Sequence, residues 1–95
     1  MAACVTRQQA QKLGSLMSQW HGSMGDPIYA VGSYLIDGQI HPSLDTIRSA
    51  AAGIRRMIPQ AEIGHAGWGK REARELKRIA SGLKRVEACA RARGG

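Results

Sequence analysis

Two stretches of the chain place an aliphatic residue every three or four positions. Leu44, Ile47, Ala51, Ile54 and Ile58 form one series; Leu76, Ile79, Leu83, Val86 and Ala90 form the other. That period puts the apolar side chains on one stripe of an α-helix. Such a helix gains most of its stability by packing its stripe against a neighbour, so two of them already imply a helical bundle. Phe is absent and the aromatics are two Trp and two Tyr, so the core has to be aliphatic. At 95 residues the chain is one domain at most, 1–95, burying about two thirds of its unfolded surface. That is enough for a modest core without a metal or a disulfide.

Start and stop signals predict four helices. The first runs from about Arg7 to His21, with Thr6 and Gln9 as a capping box and Val5 stapled against Ala10. Leu13, Leu16, Met17, Trp20 and Met24 follow its apolar face, which predicts a largely buried Trp20, and Gly22 ends it. The second begins at Asp26-Pro27, a carboxylate cap before a proline at the first helical position, and stops at Gly38. A rival reading of 34–41 is a short β-hairpin turning at Asp37-Gly38, because Tyr34, Ile36 and Ile40 favour strands. The third spans Ser43 to Ile58 between Pro42 and Pro59, and the small residues Ala50 to Gly53 invite a close neighbour. Pro59 to Gly69 reads as a loop or a short extra turn anchored by Ile63 and Trp68, the fourth helix spans Lys70 to Ala90, and 91–95 fray. The expected fold is all-α, a compact bundle of about four helices.

Charge is concentrated rather than spread. The net charge is +7, and from Lys70 onward nine basic residues face three acidic ones, against five and four in residues 1–69. At about 100° per residue, Arg71, Arg74, Lys77, Arg78, Lys84 and Arg85 lie opposite the stripe of Leu76, Ile79, Leu83 and Val86. Charged helix faces are commonly just solvated. This one is nearly all one sign, and Glu87–Arg91 is the one well-oriented i,i+4 pair within it. Self-repulsion of that kind favours an anionic partner. Arg48, Arg55 and Arg56 add a smaller basic edge on the third helix. The candidate partner-binding residues are therefore Arg71, Arg74, Lys77, Arg78, Lys84, Arg85, Arg55 and Arg56. The face carries no interleaved aromatics for stacking on single strands, and no short helix pair precedes it as in a helix-turn-helix.

Other chemistries find few residues. His21, His41 and His65 lack metal-ligand spacing, and no cofactor motif is present. There is no Gly-x-Ser-x-Gly elbow, and Gly69-Lys70-Arg71 lacks the rest of a phosphate loop. Asp26, Asp37, Glu72 and Glu75 are taken up by cap, turn and helix-start roles, so no catalytic residues are assigned and an enzyme is not expected. No apolar run reaches the roughly 20 residues of a membrane span, and Met1 to Gln11 does not read as a secretory signal. Cys4 and Cys89 accordingly read as reduced thiols of a cytosolic protein, without an intramolecular bridge.

The segment from Trp20 through Ser33, Trp-His-Gly-Ser-Met-Gly-Asp-Pro-Ile-Tyr-Ala-Val-Gly-Ser, resembles the Trp-His-Gly, Ile/Leu-Tyr-Ala, Ser motif of small phage and prophage proteins of uncharacterised function. The resemblance covers about residues 13–50, with Gly38, Leu44 and Ile47 matching the turn and amphipathic helix that follow in that family. The basic C-terminal helix lies outside it. Physically the motif reads as a helix corner: Trp20 and Tyr29 pack across it, Gly22 and Gly25 shape it, and Asp26 caps the next helix. The resemblance implies a phage or mobile-element protein acting in the host cytoplasm. By genomic company it points to a counter-defence inhibitor of the anti-CRISPR kind, docking on a host protein or nucleoprotein complex through the basic helix. The alternative is an accessory protein that contacts DNA or RNA phosphates directly. Neither reading fixes an oligomeric state.

Overall fold

The computed structural model describes residues 4–20 and 25–93. Four helices form the bundle: α1 (Arg7–Met17), α2 (Pro27–Ile36), α3 (Leu44–Glu62) and α4 (Lys70–Ala92), with a 3₁₀ turn at His65–Gly67. Among the described residues there is no strand. α1 packs on α2, α2 on α3 and α3 on α4, and α4 returns to touch α1 along the lightest seam. At 1.5 Å per residue α4 is about 34 Å long, and it accounts for most of the 42 Å long dimension of the molecule.

The helix starts follow from local chemistry. The Gln9 N–H donates to Thr6 Oγ1 (3.0 Å) and the Thr6 N–H to Gln9 Oε1 (2.9 Å), a reciprocal cap on α1. At α2 the Ile28 N–H donates to Asp26 Oδ1 (2.9 Å), and at α3 the Thr46 N–H donates to Ser43 Oγ (3.2 Å). Gly69 precedes α4, and its N–H donates to the Glu72 carboxylate (2.8 Å). Each such bond satisfies a backbone donor that the helix itself leaves orphaned, at about 1 kcal/mol apiece.

The end of α2 decides between helix and hairpin. The Gly38 N–H donates to the Leu35 carbonyl (2.8 Å) and the Gln39 N–H to the Tyr34 carbonyl (2.9 Å), with Gly38 at φ 75°. This paired arrangement closes a helix around a left-handed residue. It uses the Tyr34 carbonyl that a hairpin would direct across to a second strand. The hairpin reading of 34–41 is thus overturned, and the Tyr34 ring instead meets His41 edge-on at 4.6 Å.

Met17, Val31, Leu35, Ile47, Ile54, Leu76, Ile79, Leu83 and Val86 are fully buried, and no polar residue is buried among the described ones. Two glycines set the helix spacing. A Cβ on Gly14 would lie 2.7 Å from the Ile36 nitrogen and 2.9 Å from the Gly32 carbonyl, so α1 and α2 meet backbone to backbone. A Cβ on Gly82 would lie 2.8 Å from Leu13 Cδ1, so α4 is notched where the α1 side chain seats. Glycine inside a helix costs about 1 kcal/mol relative to alanine, and here it admits a close approach.

Several expectations need correction. α1 ends at Met17, four residues early, and the chain tightens through Ser18–Trp20, where the Trp20 N–H donates to the Met17 carbonyl (2.9 Å). The tightening turns Trp20 toward α4. Its ring is half-buried rather than buried, donates from Nε1 to Glu75 Oε1 (3.0 Å) and meets Trp68 edge-on at 5.2 Å. The expected roles of His21, Gly22 and Met24 lie outside the described residues. Pro59 does not follow α3 but lies inside it. The ring removes one helical donor, yet the helix continues to Glu62, with Ala61 beyond it fully buried. Ile63 is 82% exposed and anchors nothing; Trp68 does pack on the core. α4 continues to Ala92, so 91 and 92 are helical rather than frayed.

The largest correction concerns the cysteines. Cys4 and Cys89 form a disulfide across a sequence separation of 85. α1 and α4 are antiparallel, with Trp20 on Glu75, Leu13 on Gly82 and Cys4 on Cys89. In that register the two thiols coincide, a relation that no local feature around either one carries.

Three outcomes test this account. Gly14→Ala should lower stability by about 1–3 kcal/mol, since the new methyl meets backbone. Gly25→Ala, with nothing within 4 Å of its Cβ, should change stability by at most about 0.5 kcal/mol; thermal melts compare them. The native protein should titrate no free thiols before reduction and both cysteines after. Reduction should lower the unfolding free energy in urea by about 4–5 kcal/mol, as expected for closing a loop of this length. Trp20→Phe keeps a ring and removes the Nε1 donor, and should cost about 1.5 kcal/mol in the same assay.

Candidate docking surface on helix α4

α4 buries Ala73, Leu76, Ile79, Leu83, Val86, Cys89 and Ala90. The remaining arc belongs to its cations. All of Arg71, Arg74, Lys77, Arg78, Lys84 and Arg85 are exposed, as the apolar period requires. The bundle then divides them into two rows.

The row toward α3 is partly neutralised. Lys77 Nζ lies 3.2 Å from Glu62 Oε2, near the end of α3. Lys84 lines a shallow depression with Arg55, Ala80, Ser81 and Glu87, and Glu87 pairs with Arg48 of α3 at 3.6 Å. Glu87 is therefore drawn across the bundle to Arg48 rather than along its own helix to Arg91. Arg55 joins this group. Arg56, the next residue of α3, is exposed and lies outside that depression. Exposed pairs of this kind contribute only about 0–1 kcal/mol, but each supplies a carboxylate close to one cation.

The row toward α1 is different. Arg71, Arg74, Arg78 and Arg85 are spaced three, four and seven residues apart and span about 21 Å along the axis. Among the described residues none of the four has an ion-pair partner. Glu75 lines a depression with Arg71, Arg74, Arg78 and Leu16, and its Oε1 accepts from Trp20; Arg74 also lines a depression with Glu62 and Lys77 on the α3 side. A guanidinium presents five donors in a rigid fork suited to carboxylate or phosphate oxygens. Four of them against the single charge of Glu75 leave an excess of positive charge along the row, a surface that favours bound anions.

Beside this row α1 and α4 leave a cleft of about 260 Å³. Val5, Ala10, Leu13 and Leu16 give it an apolar lining, and Lys12, Arg78 and Arg85 place cations in the same lining. Sequence reading found the α4 cations and missed Lys12, Leu13 and Leu16 as site residues. The one sequence signal for them was Gly82, a small residue in mid-helix where α1 seats. Of the eight expected residues, the structure brings Arg71, Arg74 and Arg78 around one depression beside Leu16 of α1, and Arg78 and Arg85 into the neighbouring cleft, with Arg74 also facing Glu62 across a depression on the α3 side. It sets Lys77, Lys84 and Arg55 on the α3 side and leaves Arg56 apart. Among the described residues no three His, Cys, Asp or Glu side chains converge to hold a metal ion, and no helix is long and apolar enough to cross a membrane. Compared with protein-family models, with curated proteins and with solved structures, the chain has no match.

Proposed function

We propose that this chain is a non-catalytic binding protein of phage or mobile-element origin that acts in the host cytoplasm. It docks through the α1-facing arginine row of α4 on an anionic surface of a host nucleoprotein complex, as a counter-defence inhibitor of the anti-CRISPR kind. The observation that carries the docking surface is the set of four arginines, Arg71, Arg74, Arg78 and Arg85, without ion-pair partners among the described residues. The phage origin rests on the motif from Trp20 to Ser33. In a cytoplasm thiols are mostly kept reduced, so the Cys4–Cys89 bond would there be subject to exchange, with exposed Cys4 the sulfur-bearing residue open to attack. A second reading is direct contact with duplex nucleic acid, favoured by the regular spacing of the row, which a phosphate backbone could follow.

The triple variant Arg74→Glu, Arg78→Glu, Arg85→Glu tests both. These side chains are exposed, so helical circular dichroism should be unchanged; surface charges of this kind alter stability by about 0.5 kcal/mol or less each. The wild-type protein, expressed in bacterial strains with active immunity against a chosen phage, should restore plaque formation, and the variant should not. A folded variant with full rescue removes the row from the working surface. Under the second reading the wild-type protein binds naked duplex with a log–log salt slope of about −3.6, the value for four released counterions.

A further inference from the structure

We infer that the cleft between α1 and α4 receives an acidic amphipathic segment of a protein partner, with one or two large apolar side chains inserted between its carboxylates. The inference rests on the reading of α4 as the docking face and names the partner class that face takes. Four observations carry it. The cleft is apolar where a phosphate backbone has nothing to bury, with Val5, Leu13 and Leu16 in its lining. Cations come to it from both walls, Lys12 from α1 and Arg78 and Arg85 from α4. Its volume, about 260 Å³, is room enough for one or two large apolar side chains. Finally, the Trp20–Glu75 hydrogen bond ties one end of the α1–α4 pair and, in the oxidised protein, the Cys4–Cys89 bond ties the other. A cleft held open in this way loses little conformational freedom when it is filled.

The combination is what a hot spot requires. An apolar anchor fills a desolvated pocket while charges at its rim set orientation and exclude wrong partners. A nucleic acid would satisfy the arginines and leave the apolar lining unused.

The test uses the full-length oxidised protein and three labelled probes of equal charge: a 14-residue helical peptide of Glu and Asp with Leu and Trp at i, i+3, i+4 and i+7; the same peptide with Ser at those positions; and a short DNA duplex. The apolar-anchored peptide should bind at least tenfold more tightly than the serine peptide and the duplex. Ser81→Trp, an exposed α4 position in the cleft lining, adds bulk without charge. It should weaken the anchored peptide at least tenfold and leave the serine peptide unchanged. Equal affinity for the two peptides, tighter binding of the duplex, or an anchored peptide indifferent to Ser81→Trp each overturns the inference while the docking face stands. If the wild type binds none of the probes, or the Arg74→Glu, Arg78→Glu, Arg85→Glu variant binds all as well as the wild type does, the docking face itself falls. Should Ser81→Trp lose helicity, the methyl resonances of Val5, Leu13 and Leu16 in the wild-type protein decide the matter, since they must shift with the anchored peptide and stay unmoved with the serine peptide.

Discussion

The seating of Leu13 on Gly82 sets the relation on which the candidate site depends. It fixes the antiparallel register of α1 against α4, and that register brings Cys4 to Cys89 and Trp20 to Glu75. A side chain at 82 would meet the tip of Leu13 at 2.8 Å, so the notch and the leucine seated in it are matched. The seam is the lightest of the packed helix pairs, yet it carries the bundle's only covalent cross-link among the described residues. Packing is weakest where the chain is stapled, which is how a small core can keep a surface groove without collapsing it.

The charge arrangement obeys the same geometry. α4 must turn Leu76, Ile79, Leu83 and Val86 inward, and its cations are thereby forced onto the outer arc. The Glu residues nearby are too few to balance them. Glu62 and Glu87 serve the α3 side, and Glu72 and Glu75 bond to Gly69 and Trp20. What remains is a row of like charges whose mutual repulsion opposes the compact state. The disulfide and the aliphatic core supply the stability that tolerates it.

Features set by neighbouring residues were legible in the sequence. Thr6 with Gln9 and Asp26 with Pro27 announce helix starts, the three-four step of α4 gives five of its buried residues, and that of α3 gives Ile47, Ala51 and Ile54, with Leu44 and Ile58 only half-buried. Features set by residues far apart were not. Lys77 meets Glu62 15 residues away, Trp20 meets Glu75 55 away, and Cys4 meets Cys89 85 away. Each depends on a helix register that the apolar period leaves undetermined. Pro59 failed for a different reason: local backbone chemistry reads proline as a helix stop, yet α3 runs through it to Glu62. The candidate site divides along the same line. Its arginines belong to one helix and could be read, whereas Lys12, Leu13 and Leu16 enter only through the α1–α4 pairing.

The disulfide has a further consequence for the loop between α3 and α4. Ile63 to Gly67 is exposed throughout and turns through left-handed residues at Gly64, Ala66 and Gly67, the kind of segment at which proteases nick folded chains. A single cut there would release no fragment. Residues on either side would stay joined through Cys4 and Cys89 as a two-chain molecule, with the α1–α4 cleft lying wholly away from the break. Oxidised, the protein thus has its docking face insured against one proteolytic event; reduced, the same cut leaves its halves held by noncovalent packing alone.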